Sequence, residues 1–293
     1  FSDATATATV VDADFTNIDN IETVTLNAGN DTITLGAASI AAGVATLNIL
    51  AGTNSVTVGS GHTANLTIAA TSGTDTIDAS AYTGALTVQV QAAELNGDTI
   101  TGGTGSDTLS VTTAATLVAN DFDTVTLIET VDIAVNGAIS VTSDTLQIAT
   151  GGTLAWTASG QTTGAVTLVL SDETDTTSAQ TVTFGGTGAH IVTLGSGTDS
   201  YTYTYSGTGT HGVQTVVGTA GTNTITTLDA ADIITLGTGV DTVNTGAGND
   251  TINTATANLV STDTIDGGTG TDTLVFSDAT ATATVVDADF TNI

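Results

Sequence analysis

The chain has 293 residues, no Lys or Arg, 30 Asp and Glu together and a formal net charge of -30, and it lacks Cys, Met and Pro. Phosphate neutralisation needs basic side chains, so this composition excludes nucleic acid as a partner and disfavours an anionic membrane surface. A hydrophobic content of 40% argues for a folded chain, whose charge must be tolerated or met by cations from solution.

Residues 1–18, FSDATATATVVDADFTNI, recur unchanged as residues 276–293, an offset of 275. The chain therefore reads as one 275-residue unit followed by the start of the next, with copies of itself as the expected partners, in tandem or through end-to-end or lateral assembly. A fainter duplication has an offset of 107: Asp14-Phe15, Ile18 and Ile21-Glu22-Thr23-Val24 answer Asp121-Phe122, Val125 and Ile128-Glu129-Thr130-Val131. The Asp-Phe segments are predicted to form single helical turns and the Ile-Glu-Thr-Val segments strands. No apolar run approaches the roughly 20 residues that a membrane-spanning helix needs.

From Asn27 onward threonine alternates with aliphatic residues, the pattern of short strands with one buried face. Asp31, Asn54, Asp75 and Asp98 follow turn glycines at separations of 23, 21 and 23. That spacing predicts a parallel β-solenoid with coils of about 22 residues over 1–135, stacked at about 4.8 Å. Thr32, Ser55, Thr76 and Thr99 would form a hydroxyl ladder, and Ile33, Val56, Ile77 and Ile100 an aliphatic one inside. Two readings of the acidic edge stay open. It is a ladder of turn caps bonded to backbone amides, or Ca²⁺ lies at Asp31, Asp75 and Asp98. Residues 136–190 read as a wider coil, with a β-sandwich insert as the alternative. Trp156 is expected to fill the core, the acidic stretch 171–177 to be a solvated excursion, and Tyr201, Tyr203 and Tyr205 to share one strand face.

Over 191–275 the beat shortens to nine. Asn223, Asp232, Asp241 and Asp250 are each followed two positions later by Ile225, Ile234, Val243 and Ile252, and Asp263 and Asp272 resume the beat after an interruption. There is no nucleophilic Cys, no Lys and no Ser-His-Asp order, so an enzyme is not expected. His62, His190 and His211 are expected at exposed or turn positions. What the residues do suit is a hard cation such as Ca²⁺, which takes carboxylate, carbonyl and water oxygens.

The turns GGTGSDTLS at 102–110, GGTGTDTLV at 267–275 and GTGVDTVNTGAGNDTIN at 237–253 resemble the nonapeptide of RTX, or haemolysin-type, calcium-binding proteins. The resemblance implies a parallel β-roll with Ca²⁺ between stacked turns, held by aspartates and turn carbonyls. Partners would lie 18 residues apart, Asp232 with Asp250 and Asn223 with Asp241. The metal site would comprise those four residues with Gly237, Gly239, Gly246, Gly248, Asp263, Gly268, Gly270 and Asp272, and a separate turn at Gly103, Gly105 and Asp107. At 18 residues Asp107 faces Val125 and Asp272 faces Thr254. The fold class is thus all-β, a solenoid tightening to a β-roll in its last third, with 276–293 opening the next repeat.

More loosely, the whole chain resembles calcium-dependent S-layer proteins and giant surface adhesins. That likeness implies a structural repeat of a secreted bacterial filament, S-layer or adhesin shaft, extracellular or at the cell surface, with any cell-surface or glycan attachment outside this segment. The alternative is an ice-binding or other ligand-binding β-roll module, with Thr238 and Thr269 stacked at the turns and a regular array along Thr5–Thr9.

Overall fold

Alternating threonine with Val, Ile or Leu sends one set of side chains to each face of an extended strand, and β-branched residues suit the half-buried pleat. Strands of two to seven residues cannot bury that face alone, so each is covered by the equivalent strand one coil away. The computed structural model describes residues 6–70, 72–143, 153–170, 179–205, 210–278, 290, 291 and 293. The acidic stretch 171–177, Thr5 of the threonine run and most of 276–293 lie outside them. All described strand pairings are parallel, which makes the protein an all-β parallel β-solenoid.

The chain divides into two compact units. The first comprises 1–113, 119–134 and 146–149, the second 114–118, 135–145 and 150–293. In the first unit one sheet runs through Thr9–Val10, Thr32–Leu35, Ser55–Val58, Thr76–Asp78, Thr99–Thr101 and Val125–Thr126. Its inward column is Val10, Ile33, Val56, Ile77, Ile100 and Val125, all buried. Each such side chain contributes about 1.5–3 kcal/mol over its exposed state. The outward column is Thr9, Thr32, Ser55, Thr76 and Thr99. A second sheet runs from Thr23–Thr25 to Thr130–Ile133 and buries Leu47, Ile68, Val88, Leu109 and Val131 in register.

In the second unit the column Val141, Leu168, Val192, Val216, Ile234, Ile252 and Leu274 repeats that plan. Facing columns include Trp156, Val182, Tyr201, Ile225, Val243 and Ile265. Trp156 is a fully buried rung, with Nε1 donating to Gln180 Oε1 at 2.8 Å. Tyr201 and Tyr203 are buried on one face of Thr198–Thr204, and Tyr205 follows it half-buried.

Among the described residues helical structure is confined to short connections. Asp12–Phe15 and Ala119–Asp121 are 3-10 turns that bury Phe15 and bring Phe122 inside, as the duplicated Asp-Phe segments predict. The one α-helix among the described residues, Ala37–Ala42, is capped from the neighbouring coil by Asp12. Its Oδ1 accepts from Gly36 N at 2.7 Å and Ser39 N at 2.8 Å, and its Oδ2 from Ala38 N at 3.0 Å. No helix among the described residues is long and apolar enough to cross a membrane.

Candidate metal centre

The residues that begin each strand form polar columns along the turns. In the first unit Asp31, Asn54, Asp75 and Asp98 are stacked, and each of the first three donates its backbone N–H to the side chain one coil later, while Asp98 N donates to Leu95 O at 3.2 Å. Asp31 N donates to Asn54 Oδ1 at 3.0 Å, Asn54 N to Asp75 Oδ1 at 3.1 Å and Asp75 N to Asp98 Oδ1 at 2.8 Å. These links span 23, 21 and 23 residues, and Asn54 Nδ2 adds a bond to Asp75 Oδ1 at 2.8 Å. All four residues are about 1% exposed.

The second unit has two such columns. In one, Gln214 N donates to Asp232 Oδ1 at 2.7 Å, Asp232 N to Asp250 Oδ1 at 2.8 Å and Asp250 N to Asp272 Oδ1 at 2.9 Å. In the other, Asn223 Nδ2 donates to Asp241 Oδ1 at 3.0 Å and Asp241 N to Asp263 Oδ1 at 2.9 Å. The pairs Asp232 with Asp250 and Asn223 with Asp241 are 18 residues apart, as the nine-residue beat predicts. Asp272 does not face Thr254. It stacks on Asp250, 22 residues back, because the extra residues between Thr254 and Asp263 widen that coil from 18 to 22 while keeping the column in line. Likewise Asp107 does not face Val125. Leu86 N donates to its Oδ1 at 2.9 Å, and its own N–H goes to Glu129 Oε2, 22 residues on, at 2.8 Å.

Glycines permit this stacking. Gly239 has φ +125°, and a Cβ there would run into the Gly221 carbonyl oxygen of the coil below. Gly246, Gly248, Gly268 and Gly270 sit over neighbouring carbonyls in the same way, as do Gly103, Gly105 and Gly237. Thr238 and Thr269 do not stack with each other. They lie over Ala220 and Ala247, so the turns carry no threonine ladder at these positions.

The second carboxylate oxygens sort the candidates. Asp107 Oδ2 accepts from Gly103 N at 2.5 Å and Asp263 Oδ2 from Val260 N at 2.8 Å, so both carboxylates are filled by their own turns. By contrast Asn223 Oδ1 and the Oδ2 atoms of Asp31, Asp232, Asp241 and Asp250 are buried without a hydrogen bond. Hydroxyls lie near Asp232 and Asp250, but each has one hydrogen. Thr227 gives its own to Thr245 O at 2.9 Å, and Thr245 to Gly267 O at 3.0 Å. Burial therefore pushes Asp232 up to about 6 and raises Asp241 and Asp250, with stacked Asp250, Asp263 and Asp272 adding repulsion. Burial and the neighbouring Asp75 and Glu94 do the same to Asp98, also to about 6.

Orphaned, buried, anionic oxygens in a chain with no Lys or Arg suit a hard divalent cation. Among the described residues no three carboxylates or imidazoles converge, so an ion here would draw one carboxylate per turn and complete its shell from turn carbonyls and water. A model of the RTX calcium-binding nonapeptide repeat matches four copies, over residues 96–110, 217–252 and 261–276. The chain carries RTX calcium-binding repeats. No curated protein and no solved structure matches it. The RTX turns are calcium-binding elements, and within them Asp232, Asp241 and Asp250, with Asn223 and the carbonyls of the intervening glycines, are the groups that would hold Ca²⁺.

Several residues in these columns were not foreseen. Gln214 precedes Asp232 by 18 residues and Glu129 follows Asp107 by 22, so spacing alone could have found them. His62 and His190 are buried instead of exposed, because each serves as a polar rung. His190 Nδ1 accepts from Val166 N at 3.0 Å, and His62 Nδ1 lies 3.2 Å from the Ser39 hydroxyl. Burial lowers the pKa of both. His211 is half-buried, edge-on to Tyr205 at 4.4 Å between ring centres.

Proposed function

We propose that the chain is a structural repeat of a secreted bacterial filament, S-layer or adhesin shaft, joined to further copies of itself and stiffened by Ca²⁺ at its RTX turns. The observation that carries this reading is the 18-residue identity at an offset of 275, seen with what its two copies touch. At the later copy Phe276 pairs beside Thr254, Ser277 N donates to Thr254 O at 2.8 Å, and Asp278 Oδ1 accepts from Thr256 N at 3.0 Å. The earlier copy is described from residue 6. There Thr9-Val10 pairs with Thr32-Ile33, and Asp12 caps the following helix.

One copy thus seats its beginning on the coil before it, and the other seats its remainder on the coil after it. Together they support the segment as a bridge between successive repeats. An extracellular site also suits a fold that draws on calcium and offers trypsin-like proteases no Lys or Arg. Adding Ca²⁺ to metal-stripped protein should raise the melting temperature, with about 2.7 kcal/mol gained at a hundredfold excess over Kd. In electron micrographs chelation should shorten or soften the assemblies. Threads whose length and melting are unchanged after divalent ions are stripped would refute the calcium-dependent scaffold.

A further inference from the structure

Residues 28–33, AGNDTI, repeat the matched RTX turn 247–252 letter for letter, yet lie in the first unit, outside every segment that the repeat model matches. The two turns agree contact by contact. Asp31 Oδ1 accepts from Ala8 N at 2.6 Å, as Asp250 Oδ1 does from Asp232 N at 2.8 Å. Asp31 N donates to Asn54 Oδ1 at 3.0 Å, as Asp250 N does to Asp272 Oδ1 at 2.9 Å. Asn30 Oδ1 accepts from Thr53 N at 2.9 Å, as Asn249 Oδ1 does from Thr271 N at 2.9 Å. In the next coil Gly52, at φ +127°, covers the Gly29 carbonyl just as Gly270, at φ +142°, covers that of Gly248. Asp31 and Asp250 are each 1% exposed and keep Oδ2 buried without a hydrogen-bond partner.

We propose that the turn 27–31 is a further divalent-cation site, with Asp31 Oδ2 as its carboxylate ligand. The inference rests on the reading of the matched turns as the calcium-binding ones. Three differences set its strength. Ala8 replaces Asp232 and Asn54 replaces Asp272, which removes two carboxylates from the column. Asn27 stands where Gly246 stands, and its Nδ2 donates to Ala6 O at 2.8 Å. Affinity for Ca²⁺ follows ligand charge, so this site is weaker than its counterpart and fills at higher Ca²⁺.

The test is calorimetric titration of the full chain with Ca²⁺, alongside amide hydrogen exchange at Ala8, Asp31 and Thr53. Wild-type protein should show a weak step accompanied by slowed exchange at those amides. Asp31→Asn should remove that step alone, whereas Asp250→Asn should remove a tighter one. Ala8→Asp, which restores the missing lower carboxylate, should tighten the weak step by about tenfold and does not depend on Asp31→Asn remaining folded. An Asp31→Asn titration superimposable on wild type, or an Ala8→Asp titration unchanged, overturns the site while leaving the RTX turns intact. Loss of every Ca²⁺ step in wild type would instead refute the calcium reading of those turns.

Discussion

Asp98 and Asp232 each satisfy the coil below with one carboxylate oxygen. Oδ1 accepts the backbone N–H of the coil below, at 2.8 Å for Asp98 and 2.7 Å for Asp232. In Asp232 Oδ2 is left buried without a partner. Turn cap and cation ligand looked like rival readings in the sequence, because a sequence cannot separate the two oxygens of one side chain. Asp232 and Asp250 show that they are compatible. Burial lifts both Asp98 and Asp232 to about 6, from an ordinary value of 3.8. Each folded carboxyl therefore holds its proton at a pH where the unfolded one has released it. Their contribution to stability is complete below about pH 4 and is lost as the pH rises through about 6. Asp12, which burial pushes up but hydrogen bonds from Ala38, Ser39 and Gly36 bring down overall, acts only at lower pH. In chelator the melting temperature should be higher near pH 5 than near pH 7, and Ca²⁺ should reduce or reverse that difference. A metal-free melting temperature that climbs steadily from about pH 5 to 7 would show that these carboxylates do not govern the pH response.

The turn is the element on which the coils register. Gly239→Ala would force a Cβ against the Gly221 carbonyl at a φ of +125° that L-residues rarely adopt, and should cost about 1–3 kcal/mol or more. Gly59→Ala is the control. Its φ lies outside the left-handed region, and a Cβ there would rest 3.5 Å from Leu35 O, so the denaturation midpoint should move little. Equal shifts in the two variants would mean that glycine at Gly239 is not a condition of stacking. The strands and their inward columns were legible, since Ile33, Val56, Ile77 and Ile100 advertise their register through the turns beside them. Coil length was legible only where the beat is regular. Between Thr254 and Asp263 the chain bulges by four residues without breaking the column, because a turn can lengthen at the surface while the strand start remains fixed by its bond to Asp241.

At the scale of the whole molecule the 18-residue segment stands at both 1–18 and 276–293. A chain lengthened past Ile293 by a second run of residues 19–275 should gain a capped helix at its second copy of Ala37–Ala42, with Asp287 in the role of Asp12. Hydrogen exchange at that helix should then become sensitive to Asp287→Asn, a substitution with no such target in the 293-residue chain. Insensitivity in the longer chain would count against the bridge. The polar columns, finally, have a direction. At the strand starts an amide is satisfied by a side chain that comes about one coil later in the chain, whereas Thr53, Thr271 and the start of Ala37–Ala42 take theirs from one coil earlier. Along these columns a strand start is therefore finished by the coil after it, so each new coil completes the one before. Each strand start is in that sense a template for the side chain that follows it.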